Sequence, residues 1–109
     1  MTPGKSASQA GHAYLGAFIQ ATGHDAGFRQ QAQEYASEQP GTKVCLQASL
    51  DEVLRLKDRA DQLGLPNFLV VDSGHQAFNN GLETTTAWGF GPCTREQAKP
   101  IVKKLKLHP

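Results

Sequence analysis

The sequence predicts an α/β fold, a three-layer α/β/α sandwich around a small mixed β-sheet, and three observations carry that expectation. Helical and strand patterns alternate along the chain, which puts helices on both faces of a partly parallel sheet. The run at 68–71, Phe-Leu-Val-Val, is continuously apolar, as in a strand covered on both faces. The first helical stretch shows a face of mostly small residues, so its backbone can lie close against a sheet. At 109 residues the chain holds one modest core and not two, so a single domain over 1–109 is expected.

The elements follow in order. Ala10, Ala13, Tyr14, Ala17, Phe18 and Ala21 recur at helical spacing and predict a helix over about 5–21. Thr22-Gly23 ends it, glycine being favoured just past a helix. A second helix over about 25–37 carries Phe28, Ala32 and Tyr35 on one side and stops at Gln39-Pro40-Gly41. Residues 43–47 alternate, with Val44 and Leu46 on one face, and read as a strand. Ser49 and Glu52 have capping-box spacing and open a third helix, whose buried stripe is Val53, Leu56, Ala60 and Leu63. Gly64-Leu65-Pro66 closes it, the apolar strand follows, and Asp72-Ser73-Gly74 breaks that strand. A looser segment at 76–82 leads to a last strand at 83–90, where Thr84, Thr85 and Thr86 favour extended backbone. Gly89 to Pro92 precedes no GK[ST] and reads as a turn, not a phosphate loop. Thr94 caps a final helix reaching about Leu105, with Pro100 an irregularity inside it.

Composition excludes several classes. No apolar run approaches the roughly 18 residues of a membrane span. The start, Met1-Thr2-Pro3-Gly4-Lys5, lacks the apolar stretch of a secretory signal, so a cytoplasmic protein is expected. Cys45 and Cys93 form no CxxC, and His24, His75 and His108 have no metal-binding spacing; no metal site is expected. The net charge of +1 decides nothing, but its distribution is uneven. After Glu96 come Lys99, Lys103, Lys104 and Lys106 with no acidic residue between them. Such an end suits phosphate. It equally suits a solvated helix terminus, where lysine complements the helix dipole.

Three groups are candidates for chemistry. Asp72 ends an apolar strand, where ligands of open α/β sheets usually sit, and as a carboxylate it can orient or activate water. Asp-Ser-Gly is also a common way for a chain to leave a strand. Lys5, Gln9 and His12 stand at i, i+4 and i+7, so one helical stripe carries an ammonium, an amide and an imidazole. Opposed to a carboxylate, that stripe can bind and polarise an ester carbonyl; alternatively Lys5 is solvated and His12 structural. One of the three threonines, turned toward Asp72, can donate a hydrogen bond to a substrate.

Four short motifs then share an order. They are Gly4-Lys5-Ser6-Ala7-Ser8-Gln9-Ala10-Gly11-His12-Ala13, Leu63-Gly64-Leu65-Pro66, Val71-Asp72-Ser73-Gly74, and Thr86 followed four residues later by Phe90-Gly91-Pro92. Across nearly the whole chain this pattern resembles the type II peptidyl-tRNA hydrolase family. The resemblance implies hydrolysis of the ester joining a peptide to the 3′ end of tRNA, without metal or organic cofactor. By position it implies Lys5, Asp72 and Thr86 as catalytic residues, and Gln9, His12, Gly74, Lys99 and Lys103 as substrate-binding ones. In the family an apolar strand leads into the GK motif, and this chain starts where that strand would end. Gln76 stands where the family usually has threonine, and Asn80-Gly81 where it usually has Pro-Gly. An uncovered sheet edge or helix face would favour a homodimer. Two rival readings share the scaffold: a non-catalytic member that binds RNA or a protein, and a hydrolase of another ester or amide.

Overall fold

The computed structural model describes residues 2–72 and 84–108. Helices α1 (Pro3–Thr22), α2 (Ala26–Ser37), α3 (Leu50–Gln62) and α4 (Arg95–Val102) are joined by short strands. These are β1 (Leu46–Gln47), β2 (Asn67–Asp72), β3 (Thr84–Phe90) and β4 (Lys106–Leu107). Each helix opens on a side chain that accepts from an otherwise unpartnered amide. Thr2 Oγ1 accepts from the Lys5 amide at 3.2 Å, and Asp25 Oδ1 from the Phe28 amide at 3.1 Å. The expected box at α3 is complete: Ser49 Oγ accepts from the Glu52 amide at 3.2 Å, and Glu52 Oε1 accepts from the Ser49 amide at 3.0 Å. Thr94 and Gln97 form the same reciprocal pair at α4, at 3.1 and 2.8 Å. After α3, Gly64 takes φ 72°, the left-handed conformation that glycine alone adopts readily.

Helices lie on both sides of the β2–β3 ladder, which gives the predicted layers. Phe68 pairs with Gly89 and Leu69 with Trp88, and neighbouring pairs point to opposite faces. On the first face, Phe68 meets α1 at Gly16, and Gly89 meets it at Ala13. A Cβ on Gly89 would overlap the Ala13 carbonyl, so the helix backbone approaches the strand as its run of small residues predicts. Ala13, Ala17 and Ala21 form the buried stripe of α1, and α2 packs against α1. On the second face, Ala60 of α3, Leu65 and Ile101 of α4 are buried together with Leu56, Trp88 and Phe90.

Both ladders among the described residues are antiparallel, β1 with β4 and β2 with β3, which corrects the expected mixed, partly parallel sheet. An apolar run reports burial and not strand direction. Even the burial is partial: Val70 is 7% exposed but Val71 is 47% exposed. Strand 43–47 shrinks to Leu46–Gln47, with Val44 exposed, and Leu63 leaves the buried stripe of α3 to sit exposed at its C-cap. Helix α4 ends at Val102 rather than near Leu105, and Lys106–Leu107 becomes a strand instead. Gly89 lies within β3 rather than in the turn, which begins at Gly91.

Packing fixes which ends meet. Gln20 and His24, from the end of α1, line a concavity with Leu65, Pro66 and Asn67 at the start of β2. Helix α1 therefore runs antiparallel to β2, and its first turns lie toward the end where β2 finishes. At about 1.5 Å per residue, Gly16 back to Lys5 covers roughly 16 Å of helix. At about 3.3 Å per residue, Phe68 on to Asp72 covers roughly 13 Å of strand. Helix α3 also finishes at the Asn67 corner, where the Asn67 amide donates to Asp61 Oδ1 at 2.7 Å. Its first turn, and β1 just before it, consequently lie toward the Asp72 end.

Candidate active site

Four elements contribute to the Asp72 end. Asp72 is the last residue of β2 and pairs with Thr84 of β3. Val70 pairs with Ala87 but Val71 with Thr85, so the register skips Thr86. That bulge leaves Thr86 without a cross-strand partner. Bulges bend a strand, raise its twist and are common beside active sites. Facing this end, the first turn of α1 carries Lys5, half-buried, at the third helical position. The amides of that turn bring partial positive charge to the same place as the ammonium.

The helical stripe is divided by burial. Gln9 is only 7% exposed and heads the row continued by Ala13, Ala17 and Ala21, so its amide is held inside the α1–sheet contact. His12 is exposed. The elements that meet at this end thus carry Lys5, Gln9, Asp72 and Thr86. Gly74 and Gln76 lie outside the described residues, as do Asn80 and Gly81. Lys99 and Lys103 are exposed on the last turn and cap of α4, which packs against α3 on the face opposite α1. They are not part of the Lys5–Asp72 cluster.

A polar network that sequence reasoning missed occupies the other corner. The concavity there measures about 350 Å³ and is lined by Gln20, His24, Lys57, Asp61 and Asn67 over Leu65 and Pro66. Trp88 Nε1 donates to Asn67 Oδ1 at 3.0 Å, and Lys57 Nζ reaches Asp61 Oδ2 at 2.9 Å. The Asn67 hydrogen bond, then that from Lys57, holds the Asp61 carboxyl below its ordinary range. Its members come from three elements, so no local spacing could have revealed it. Lys57, Asp61, Asn67 and Trp88 are committed to one another, and the corner lies a strand's length from Asp72; we read it as a brace joining α3 to the sheet. Among the described residues no group of three or more His, Cys, Asp or Glu gathers as a metal site would require. None of their helices is long and apolar enough to cross a membrane.

Fold and site together define a small α/β domain with polar candidates from α1, β2 and β3 gathered at one end of its sheet. The model of the family described as Peptidyl-tRNA hydrolase PTH2 matches residues 1–108. A relative named "Probable peptidyl-tRNA hydrolase 2", from Dictyostelium discoideum, is 34% identical over 109 residues, covering 99% of this chain and 49% of its own. "Peptidyl-tRNA hydrolase" of Methanopyrus kandleri is 34% identical over 98% of this chain and 87% of its own. That of Pyrobaculum aerophilum is 33% identical over 96% and 85%. The chain thus spans about half the length of the Dictyostelium relative (49%) and most of the archaeal ones. It belongs to the peptidyl-tRNA hydrolase PTH2 family, a family of hydrolases.

Proposed function

We propose that this chain hydrolyses the ester between a peptide and the 3′ end of tRNA, with Lys5, Asp72 and Thr86 as its catalytic residues. Family membership over 1–108 is the observation that carries the reading. The convergence of α1, β2 and β3 supports the choice of residues. Water adds to the ester carbonyl, the carbon–oxygen bond to the ribose breaks, and the water's proton ends on the ribose hydroxyl. The products are a peptide acid and free tRNA. The carboxylate of Asp72 orients the attacking water. A carboxylate is a weak base, so positioning is the larger part of its contribution.

Lys5 supplies the opposing charge. Its ammonium, reinforced by the start of α1, stabilises the oxyanion that forms as water adds, or holds a phosphate of the terminal nucleotide. Thr86, freed from cross-strand pairing, donates a hydrogen bond to the substrate near the ester. Gln9 fixes substrate orientation from its buried position, and Gly74 and His12 are further substrate-binding residues. Lys99 and Lys103 contact the tRNA away from the reacting ester. The reaction takes place in the cytoplasm, where the substrate is made.

The specificity test uses one tRNA charged with one amino acid, with and without an N-acetyl group. The acetylated form, which mimics a peptide in lacking a free ammonium, is cleaved; the unblocked form is cleaved far more slowly. Equal rates would point to a general esterase. No cleavage of either, by a folded chain that still binds tRNA, would point to a binding protein on this scaffold.

A further inference from the structure

Pairing of β1 with β4 joins two stretches of sequence that both carry lysine and no acidic side chain. Residues 39–50 and 97–109 contain no Asp or Glu. The ladder sets Gln47 opposite Lys106, and the His108 amide donates to the Cys45 carbonyl at 2.9 Å. Gln47 and Lys106 are cross-strand partners and share a face of the ribbon, and Lys104 and Lys43 flank it at its two ends. Lys43, Lys104 and Lys106 are all exposed. Lys43 Nζ lies 5.2 Å from the centre of the Tyr35 ring and donates to the Gly41 carbonyl at 3.2 Å, which holds its charge at the surface. Among the described residues none of these three lysines forms an ion pair. Elsewhere the basic residues are interspersed with acids: Arg55, Lys57 and Arg59 share α3 with Asp51, Glu52, Asp58 and Asp61. Among the described residues the ribbon is unlike them in having no ion-pair partner for its lysines.

Position matters as much as charge. Gln47 lies two residues before the Ser49 cap of α3, and that first turn lies toward the end where β2 finishes at Asp72. A polyanion whose terminus reaches Asp72 can therefore run outward over Lys104, then Lys106, then Lys43. We infer that the β1–β4 ribbon is a phosphate-backbone grip for the body of the tRNA, through Lys43, Lys104 and Lys106. The inference rests on tRNA being the substrate. It adds a surface that the C-terminal lysines alone do not make, because Lys43 arrives from the middle of the chain. Contacts of this kind fix the register of the nucleic acid without reading its sequence.

The test compares the full chain with K43Q/K104Q/K106Q and with a control, R29Q/R55Q/R59Q, that loses equal charge from α2 and α3. Binding of labelled deacylated tRNA is followed by fluorescence anisotropy over a range of salt concentrations, with thermal melts confirming folding. Each phosphate contact contributes roughly 0.7 to 0.9 to the slope of log K against log salt. The ribbon variant is expected to bind at least about tenfold more weakly, with a slope shallower by about 2, and the control to stay near the parent. Equal losses in both variants, an unchanged slope in the ribbon variant, or no tRNA binding by the parent would each overturn the inference. The hydrolase reading fails separately. A chain that binds through the ribbon yet cleaves nothing sinks that reading alone, and turnover with an unchanged KM in the ribbon variant sinks the ribbon alone.

Discussion

Gly89 and Gly11 look alike in the sequence and have opposite surroundings in the fold. A Cβ at Gly89 would run into the backbone carbonyl of Ala13, which cannot turn away as a side chain can. Gly11 lies within α1, is exposed, and has nothing within 4 Å of where its Cβ would stand. Urea unfolding of the two alanine variants should therefore shift in opposite directions. Gly89→Ala should lose about 1 to 3 kcal/mol, as overpacked sites do. Gly11→Ala should gain roughly 0.4 to 1 kcal/mol by removing conformational freedom from the unfolded chain. Equal effects would mean that α1 does not approach β3 as described. At this scale the sequence shows which residue is small but not what comes near it, which is why Gly89 reads as part of a turn. The elements that carry Lys5, Gln9 and Asp72 were legible, because these residues sit at helix spacings and at a strand end that local patterns mark.

Elements were legible where their signals are local. The Ser49–Glu52 box is complete within four residues of sequence, and both of its hydrogen bonds are present. Ser49→Ala should lower stability by about 0.5 to 2 kcal/mol, read as a lower urea midpoint with unchanged slope. No change would show that water or the Glu52 side chain replaces the cap. The β1–β4 pairing had no such signal. Alternation marked a strand at 43–47, but Leu46 pairs with Leu107, far away along the chain, and two-residue β4 shows no period. Lysine-rich residues 103–106 also favour helix, so propensity pointed the wrong way until a partner strand overrode it. The bulge at Thr86 was equally hidden, since register is a relation between strands and three consecutive threonines give no hint of which one is skipped.

For the whole molecule, alternation of helices and strands was enough to predict the layers, but strand direction depends on connections that alternation does not report. The fold also leaves apolar surface uncovered. Leu15 and Ile19, one turn apart on α1, are 60% and 58% exposed, beside the partly exposed Phe68 that packs on Gly16. We propose that a second copy covers this surface, since apolar patches of this sort favour association. Sedimentation at micromolar concentration should show a dimer that Leu15→Glu converts to monomer; a strictly monomeric parent would contradict the proposal.

The central claim is that hydrolysis takes place where α1 begins and β2 ends. Its most direct test is release of free tRNA from N-acetylaminoacyl-tRNA by the parent chain, Lys5→Ala and Asp72→Asn, with circular dichroism melts run in parallel. The parent should turn over, and each variant should lose at least about 100-fold in kcat/KM with its melt unchanged. Parent-like turnover by either folded variant, or none by the folded parent, would contradict it.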